Sequence, residues 1–198
     1  MVLFLDMIME RVPSYVSLPY VSPEVADEFQ RARNILIAEP ITKDLAMRVM
    51  LLIKAMENER SDEPIWLIID SPGGEVQAGW TIYDAMDACK CPIHTVCYGE
   101  AASIAAVIFA NGNKGNRYMM EHSRLMVHQP WSAIKGFAVK ESDLAEASAD
   151  LTRTRHEIEE ALSKATGRSV ALIHDTCERD YRMDAKEAID LGFADLIL

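Results

Sequence analysis

The sequence predicts an α/β fold of repeated strand–turn–helix units with one protruding helix, and three features carry that prediction. Ile65-Trp66-Leu67-Ile68-Ile69 is an almost unbroken apolar, β-rich run, the composition of a strand buried on both faces. Runs of this kind are each followed by a small-residue break and then by apolar positions at helical spacing, the order that yields parallel strands joined by right-handed crossovers. A single long helical segment, Glu141 to Thr166, stops at Gly167.

Taken in order, residues 1–32 read as an irregular arm, because Pro13, Pro19 and Pro23 interrupt regular structure; a short helix from Ser22-Pro23-Glu24 to Phe29 fits within it. Residues 33–198 read as one domain. Arg33 to Ala38 holds Ile35, Leu36 and Ile37 and is predicted as a buried strand. Thr42 is placed to cap a helix reaching Asn58, with Leu45, Val49, Leu52, Ile53 and Met56 on one face. The strand at Ile65–Ile69 breaks at Ser71-Pro72-Gly73-Gly74, and Val76 to Ala88 follows as a helix. The next unit is a strand from Ile93 to Tyr98, a turn at Gly99 and a helix from about Ser103 to Asn111. Strands near Arg117–Met120 and Leu125–His128 come next. In the long helix Leu144, Leu151, Ile158 and Ala165 recur at intervals of seven, with Ser148, Arg155 and Leu162 between them. The pattern fits a helix laid on the sheet as well as one reaching a partner chain, but at 1.5 Å per residue it spans roughly 39 Å, which favours projection from a small domain. Short helices at Ser169–Thr176 and Asp184–Leu191 and a closing strand at Ala194–Leu198 complete the chain.

Composition narrows the function. A net charge of −11 repels phosphate backbones, and the densest basic run, Arg153-Thr154-Arg155-His156, is surrounded by acidic residues, so nucleic-acid binding is not expected. The four cysteines, at 89, 91, 97 and 177, lack zinc spacing, and the histidines show no metal motif such as H-E-x-x-H, so no metal and no cofactor are expected. The cysteines read as reduced, partly buried thiols. No segment is long and apolar enough to span a membrane, and Val2-Leu3-Phe4-Leu5 is too short for a signal core, so a cytoplasmic location is expected.

Four segments carry candidate chemistry. In Gly99-Glu100-Ala101-Ala102-Ser103-Ile104-Ala105-Ala106 one hydroxyl stands among very small neighbours where a strand gives way to a helix, the placement a serine nucleophile needs. The segment does not match G-x-S-x-G, since Ala101 and Ala105 occupy the glycine positions. Gly73-Gly74 ends a strand where parallel sheets gather ligands, and it lets backbone N–H groups face a carbonyl. His128 ends an apolar strand before Gln129-Pro130, and Asp180 lies in Cys177-Glu178-Arg179-Asp180-Tyr181. Each alone has a plainer reading: Ser103 as close helix packing, Gly73-Gly74 as an ordinary turn, His128 as structural, Asp180 as a cap or a partner of Arg179. Together, at the ends of successive elements, they fit attack by Ser103, proton shuttling by His128 and orientation by Asp180.

These segments resemble the proteolytic subunits of the ATP-dependent Clp proteases. The resemblance rests on Ile69-Asp70-Ser71-Pro72-Gly73-Gly74, Tyr98-Gly99-Glu100-Ala101-Ala102-Ser103, Ser123-Arg124-Leu125-Met126-Val127-His128-Gln129-Pro130 and Glu178-Arg179-Asp180. The trailing Ala185 to Asp195 also fits, so the likeness runs from about residue 33 to the C-terminus. It implies a ClpP/crotonase-like fold and a serine endopeptidase with Ser103, His128 and Asp180 as its triad. It implies an oxyanion hole from the backbone N–H groups of Gly74 and Ile104. It further implies two stacked seven-membered rings around a chamber, the long helix and the strand after Gln129 forming the handle between them. Glu178 and Arg179 would lie near inter-ring contacts. An AAA+ unfoldase would feed unfolded polypeptide to the chamber, and the peptidase itself would bind no nucleotide.

The chain departs from that pattern at Trp131-Ser132-Ala133-Ile134-Lys135-Gly136, where a glycine-rich stretch is usual, at Ala105, where glycine is common, and at Glu121, where proline is common. Residues 1–32 do not match the usual unfoldase-contacting loops, which leaves the docking mode open. Two alternatives follow: a regulatory or structural subunit active only in a mixed barrel with a paralogous subunit, and an acyl-CoA enzyme on the related crotonase fold. The second would share the oxyanion hole without needing the serine trio.

Overall fold

In a computed structural model, residues 22–131 and 140–198 are described. Their helices are α1 (Pro23–Arg31), α2 (Lys43–Glu59), α3 (Val76–Asp87), α4 (Ile104–Ala110), α5 (Glu141–Thr166), α6 (Val170–Cys177) and α7 (Ala185–Leu191). The strands are β1 (Asn34–Ile37), β2 (Ile65–Ser71), β3 (Ile93–Ala102), β4 (Arg117–Met119), β5 (Arg124–Val127), β6 (Tyr181–Met183) and β7 (Leu196–Ile197). The expected α/β plan is present, with strands β1-β2-β3-β4-β7 side by side and all parallel.

Several helix starts follow side chains that can accept backbone N–H bonds. Thr42 accepts from Leu45 N at 3.3 Å, Ser169 from Leu172 N at 3.2 Å and Asp184 from Glu187 N at 2.9 Å. Gly167 ends α5 at φ 72°, a conformation that suits glycine. Only the C-terminal part of α5 is buried, through Ile158, Glu159, Ala161, Leu162 and Thr166; the rest projects, with Leu144 exposed.

β2 corrects one expectation. Ile65, Leu67 and Ile69 are wholly buried, but Trp66 and Ile68 on the opposite face are only half-buried. Trp66 covers that face by stacking on Tyr118, centroids 5.5 Å apart, and by meeting the His94 ring edge-on at 4.5 Å. Burial lowers the His94 pKa, so its neutral ring suits this apolar cluster.

β3 corrects another. The turn expected at Gly99 is absent, and the strand runs on to Ala102. Ile69 faces Cys97 but Ser71 faces Ala101, so β3 bulges between them. The Asp70 carboxylate fills the bulge and accepts from Glu100 N at 2.9 Å; a Cβ on Gly99 would stand 2.2 Å from Asp70 Oδ1. Gly99 marks a close approach within a strand rather than its end.

The bulge lets β3 serve two neighbours. Its first half pairs with β4 through Thr95–Cys97, and its second half pairs with β5 through Glu100–Ala102. A strand not anticipated, β6, then pairs antiparallel with β5. The C-terminal segment is locked by Arg117, 2% exposed, whose guanidinium meets both oxygens of Asp195 at 2.8 and 2.6 Å.

Candidate active site

Ser103 sits between β3 and α4 at φ 56°, ψ −127°, a strained conformation for a residue with a side chain. Its backbone N–H is tied to Met126 O at 2.8 Å, which fixes the turn against β5. As the N-cap of α4 its hydroxyl makes no capping bond. The hydroxyl instead lies 2.8 Å from His128 Nε2.

Strand register delivers the other two residues. Parallel pairing sets Ala102 beside Met126, so His128, two positions on, ends beside Ser103. Antiparallel pairing sets Val127 opposite Tyr181, so the next residue on one strand, His128, neighbours the preceding residue on the other, Asp180. His128 Nδ1 lies 3.4 Å from Asp180 Oδ1, within ion-pair reach but longer than a good hydrogen bond. The His128 side chain is 15% exposed and that of Asp180 56%. The second Asp180 oxygen lies 3.6 Å from the Arg182 guanidinium.

Gly73 presses against this turn from the end of β2, and Gly74 against Ile41. A Cβ on Gly73 would stand 2.6 Å from Ala102 O and 2.7 Å from Ser103 Cβ, and its φ of +88° suits glycine. A Cβ on Gly74 would stand 2.2 Å from Ile41 O, because Ile41 and Gly74 form a parallel bridge. The structure thus brings the Gly73-Gly74 turn, Ser103, Ile104 and His128 together, with Asp180 behind the imidazole.

A groove of about 590 Å³ opens over the serine, lined by Ile41, Gly74, Met126, His128, Pro130 and Trp131 among others. Trp131, 76% exposed, forms its rim, and residues 132–136 of the same departure lie outside the described residues. Ala105 is wholly buried beneath the turn, where its small side chain lets α4 pack closely. A much smaller apolar pocket abuts Ser103 between Val76, Val107, Ile158 and Leu162. Among the described residues, no group of three or more His, Cys, Asp or Glu side chains gathers as a metal ion would need, and no helix is long and apolar enough to cross a membrane.

Sequence reading missed a polar cluster beside the site. Arg155 on α5 reaches Glu159, His174 on α6 and Glu178. The four-residue spacing of Arg155 and Glu159 was the available signal. Gln129, which the motif places next to His128, donates through Nε2 to Glu178 O at 3.0 Å.

Comparison with known proteins adds independent information. The sequence profile of the family described as Clp protease matches residues 21–198, beginning earlier than the motifs alone reach. The ATP-dependent Clp protease proteolytic subunit of Streptococcus mutans serotype c is 34% identical over 177 residues, covering 89% of this chain and 90% of its own length. The ATP-dependent Clp protease proteolytic subunits 1 of two Prochlorococcus marinus strains, subsp. pastoris and MIT 9312, are each 35% identical over 175 residues, covering 88% of both chains.

Proposed function

The chain belongs to the Clp protease family and is a serine-type peptidase subunit, and on that premise we propose that Ser103, His128 and Asp180 are its catalytic triad. The observation that carries the proposal is the uncapped Ser103 hydroxyl, 2.8 Å from His128 Nε2 on a strained strand-to-helix turn.

In this reading Ser103 Oγ attacks the scissile carbonyl carbon while His128 Nε2 takes the hydroxyl proton. Asp180 stabilises the imidazolium through Nδ1. The carbonyl oxygen, now negative, is held by the backbone N–H groups of Gly74 and Ile104. Collapse of the tetrahedral intermediate breaks the C–N bond, and His128 gives its proton to the departing amine. Water then repeats the cycle on the acyl-enzyme and frees Ser103.

The groove suits an extended, unfolded polypeptide, since Ile41, Met126, Pro130 and Trp131 offer apolar walls beside exposed backbone. The projecting half of α5 supports assembly, as it leaves Leu144 47% exposed in one chain. We place it in the contact between two stacked rings of seven subunits, fed by an ATP-dependent unfoldase in the cytoplasm. Residues 33–198 form the peptidase domain; most of the arm expected over residues 1–32, residues 1–21, lies outside the described residues.

Ser103→Ala is expected to abolish peptide cleavage while leaving particle mass by light scattering unchanged. Cleavage at the wild-type rate by that variant removes the triad; a 22.2 kDa particle at micromolar concentration removes the barrel.

A further inference from the structure

Cys89 and Cys91 lie on the connection from α3 to β3, and neither lines the groove over Ser103. The connection is held at its middle, where Lys90 N donates to Glu57 Oε1 at 2.8 Å. Cα atoms two residues apart are separated by at most about 7 Å, and a disulfide spans about 4.4–6.8 Å. The two thiols are close enough to hydrogen-bond each other. They differ in access, since Cys89 is half-buried and Cys91 is 4% exposed.

Cys91 has a built surrounding. Its Sγ donates to Arg60 O at 3.4 Å and accepts from the Arg33 guanidinium at 3.4 Å. Arg33, also 4% exposed, otherwise donates to the carbonyl oxygens of Met56, Arg60, Glu63 and Pro64 at 3.0–3.1 Å. None of those four acceptors is a carboxylate. Of the groups bonded to this buried cation, the Cys91 sulfur is therefore the one that can take on negative charge. A sulfur that attacks a disulfide carries such charge, and a guanidinium donor steadies it. Burial pushes the Cys89 thiol up to about 11. Few of these thiols are ionised at neutral pH, so exchange at Cys89 takes minutes to hours.

We propose that Cys89 and Cys91 form a dithiol site for low-molecular-weight disulfides, with Cys89 as the attacking thiol and Cys91 as the resolving one, closing reversibly to a disulfide within the chain. Ionised Cys89 Sγ attacks one sulfur of the small disulfide. The small S–S bond breaks, a mixed disulfide forms on Cys89, and one small thiolate leaves and takes up the proton that Cys89 gave up. Cys91 Sγ then attacks Cys89 Sγ, and its proton goes to the second small thiolate as that leaves. Together the two cysteines lose two electrons, and the small disulfide is reduced to two thiols. A ring closed over the single residue Lys90 is strained, and strained disulfides are the readily reduced ones. In a compartment that keeps thiols reduced, the bond forms only while oxidised small thiols accumulate.

The test incubates the assembled full-length protein with excess oxidised glutathione for several hours, blocks the remaining thiols with N-ethylmaleimide in denaturant, and reads the intact mass. The wild type is expected to carry two alkyl groups in place of four and no glutathione, and dithiothreitol is expected to restore all four thiols. Trypsin cuts after Lys90, so the Cys89 and Cys91 peptides are expected to emerge joined until reduced. Cys91→Ser is expected to stop at the mixed disulfide, with one glutathione per chain on Cys89. Cys89→Ser is expected to keep its remaining three thiols. Cys97 and Cys177, 0% and 1% exposed, stay free throughout and report that the fold is intact.

A wild type that keeps four thiols, or that halts at the mixed disulfide as Cys91→Ser does, overturns the proposal. So does a disulfide between two chains, or a Cys89→Ser chain that takes up glutathione. Loss of the Cys97 or Cys177 thiol along with the pair would show exchange through an unfolded chain and overturns it equally.

Discussion

Replacing Gly73 with alanine places a methyl group where the nucleophile's own side chain stands. The added Cβ would lie 2.7 Å from Ser103 Cβ and 2.6 Å from Ala102 O, against ordinary contact at 3.4–4 Å. Neither obstacle is the free end of a flexible side chain: one is backbone, and the other carries the catalytic hydroxyl. Relief therefore takes a shift of roughly 0.7 Å or more, shared between the two turns, on the scale at which about 1 Å costs 10²-fold in rate. The φ of +88° adds about 1 kcal/mol of backbone cost for a residue with a Cβ. Gly73→Ala is expected to lower kcat about 10- to 100-fold, equivalent to roughly 1.4–2.7 kcal/mol of barrier. It is expected to destabilise the fold by only about 1–2 kcal/mol. Peptide turnover and denaturant unfolding measure the two separately. A variant with wild-type kcat would refute the claim that the Gly73 and Ser103 turns are packed in register for catalysis.

Asp180→Asn is expected to reduce kcat by about 10²- to 10³-fold, less than the 10⁴ seen where the orienting acid is buried and closely bonded, because Asp180 is exposed and 3.4 Å from Nδ1; a loss near 10⁴ by steady-state kinetics would show a tighter contact. Burial alone would raise the Asp195 pKa, but its bonds from Arg117 prevail and hold it below its ordinary 3.8. The folded-state pKa is thus depressed, so this pair's stabilisation is complete above the unfolded pKa and disappears as pH falls through the lower folded value. Asp195→Asn, which strands the buried Arg117, is expected to cost about 3–5 kcal/mol at pH 7 by urea unfolding, with the gap to wild type narrowing below about pH 4; a gap that does not vary with pH would contradict the assignment. Burial pushes the Cys97 thiol up to about 11 and that of Cys177, with Glu159 nearby, up to about 12. Iodoacetamide at pH 8 is expected to label neither in the folded chain and all four cysteines after unfolding, by mass spectrometry; fast native labelling of Cys97 would show the core to be open there.

Much of the architecture was legible because it is written in local pattern. Thr42, Ser169 and Asp184 begin helices as their side chains dictate, and Gly167 ends one. Errors arose where long-range contact overrode local preference. Gly99 looks like a turn, yet it makes room for Asp70 across a bulge, a fact only the β2–β3 register reveals. Trp66 looks like core, yet it lies on a half-open face beside Tyr118 and His94. Tyr181-Arg182-Met183 is too short and mixed to announce a strand, although its pairing brings Asp180 to His128. The candidate site was legible as an ordered set of residues at element ends. Its geometry was not, since the strained φ of Ser103, the pressure from Gly73 and the Arg155 cluster all depend on neighbours distant in sequence.

The central claim is that Ser103 is activated by His128, and intact-mass analysis after fluorophosphonate treatment tests it most directly. The expected result is a single adduct per chain in the wild type and none in Ser103→Ala. An adduct that persists in Ser103→Ala, or a wild type that takes none while assembled, would contradict it.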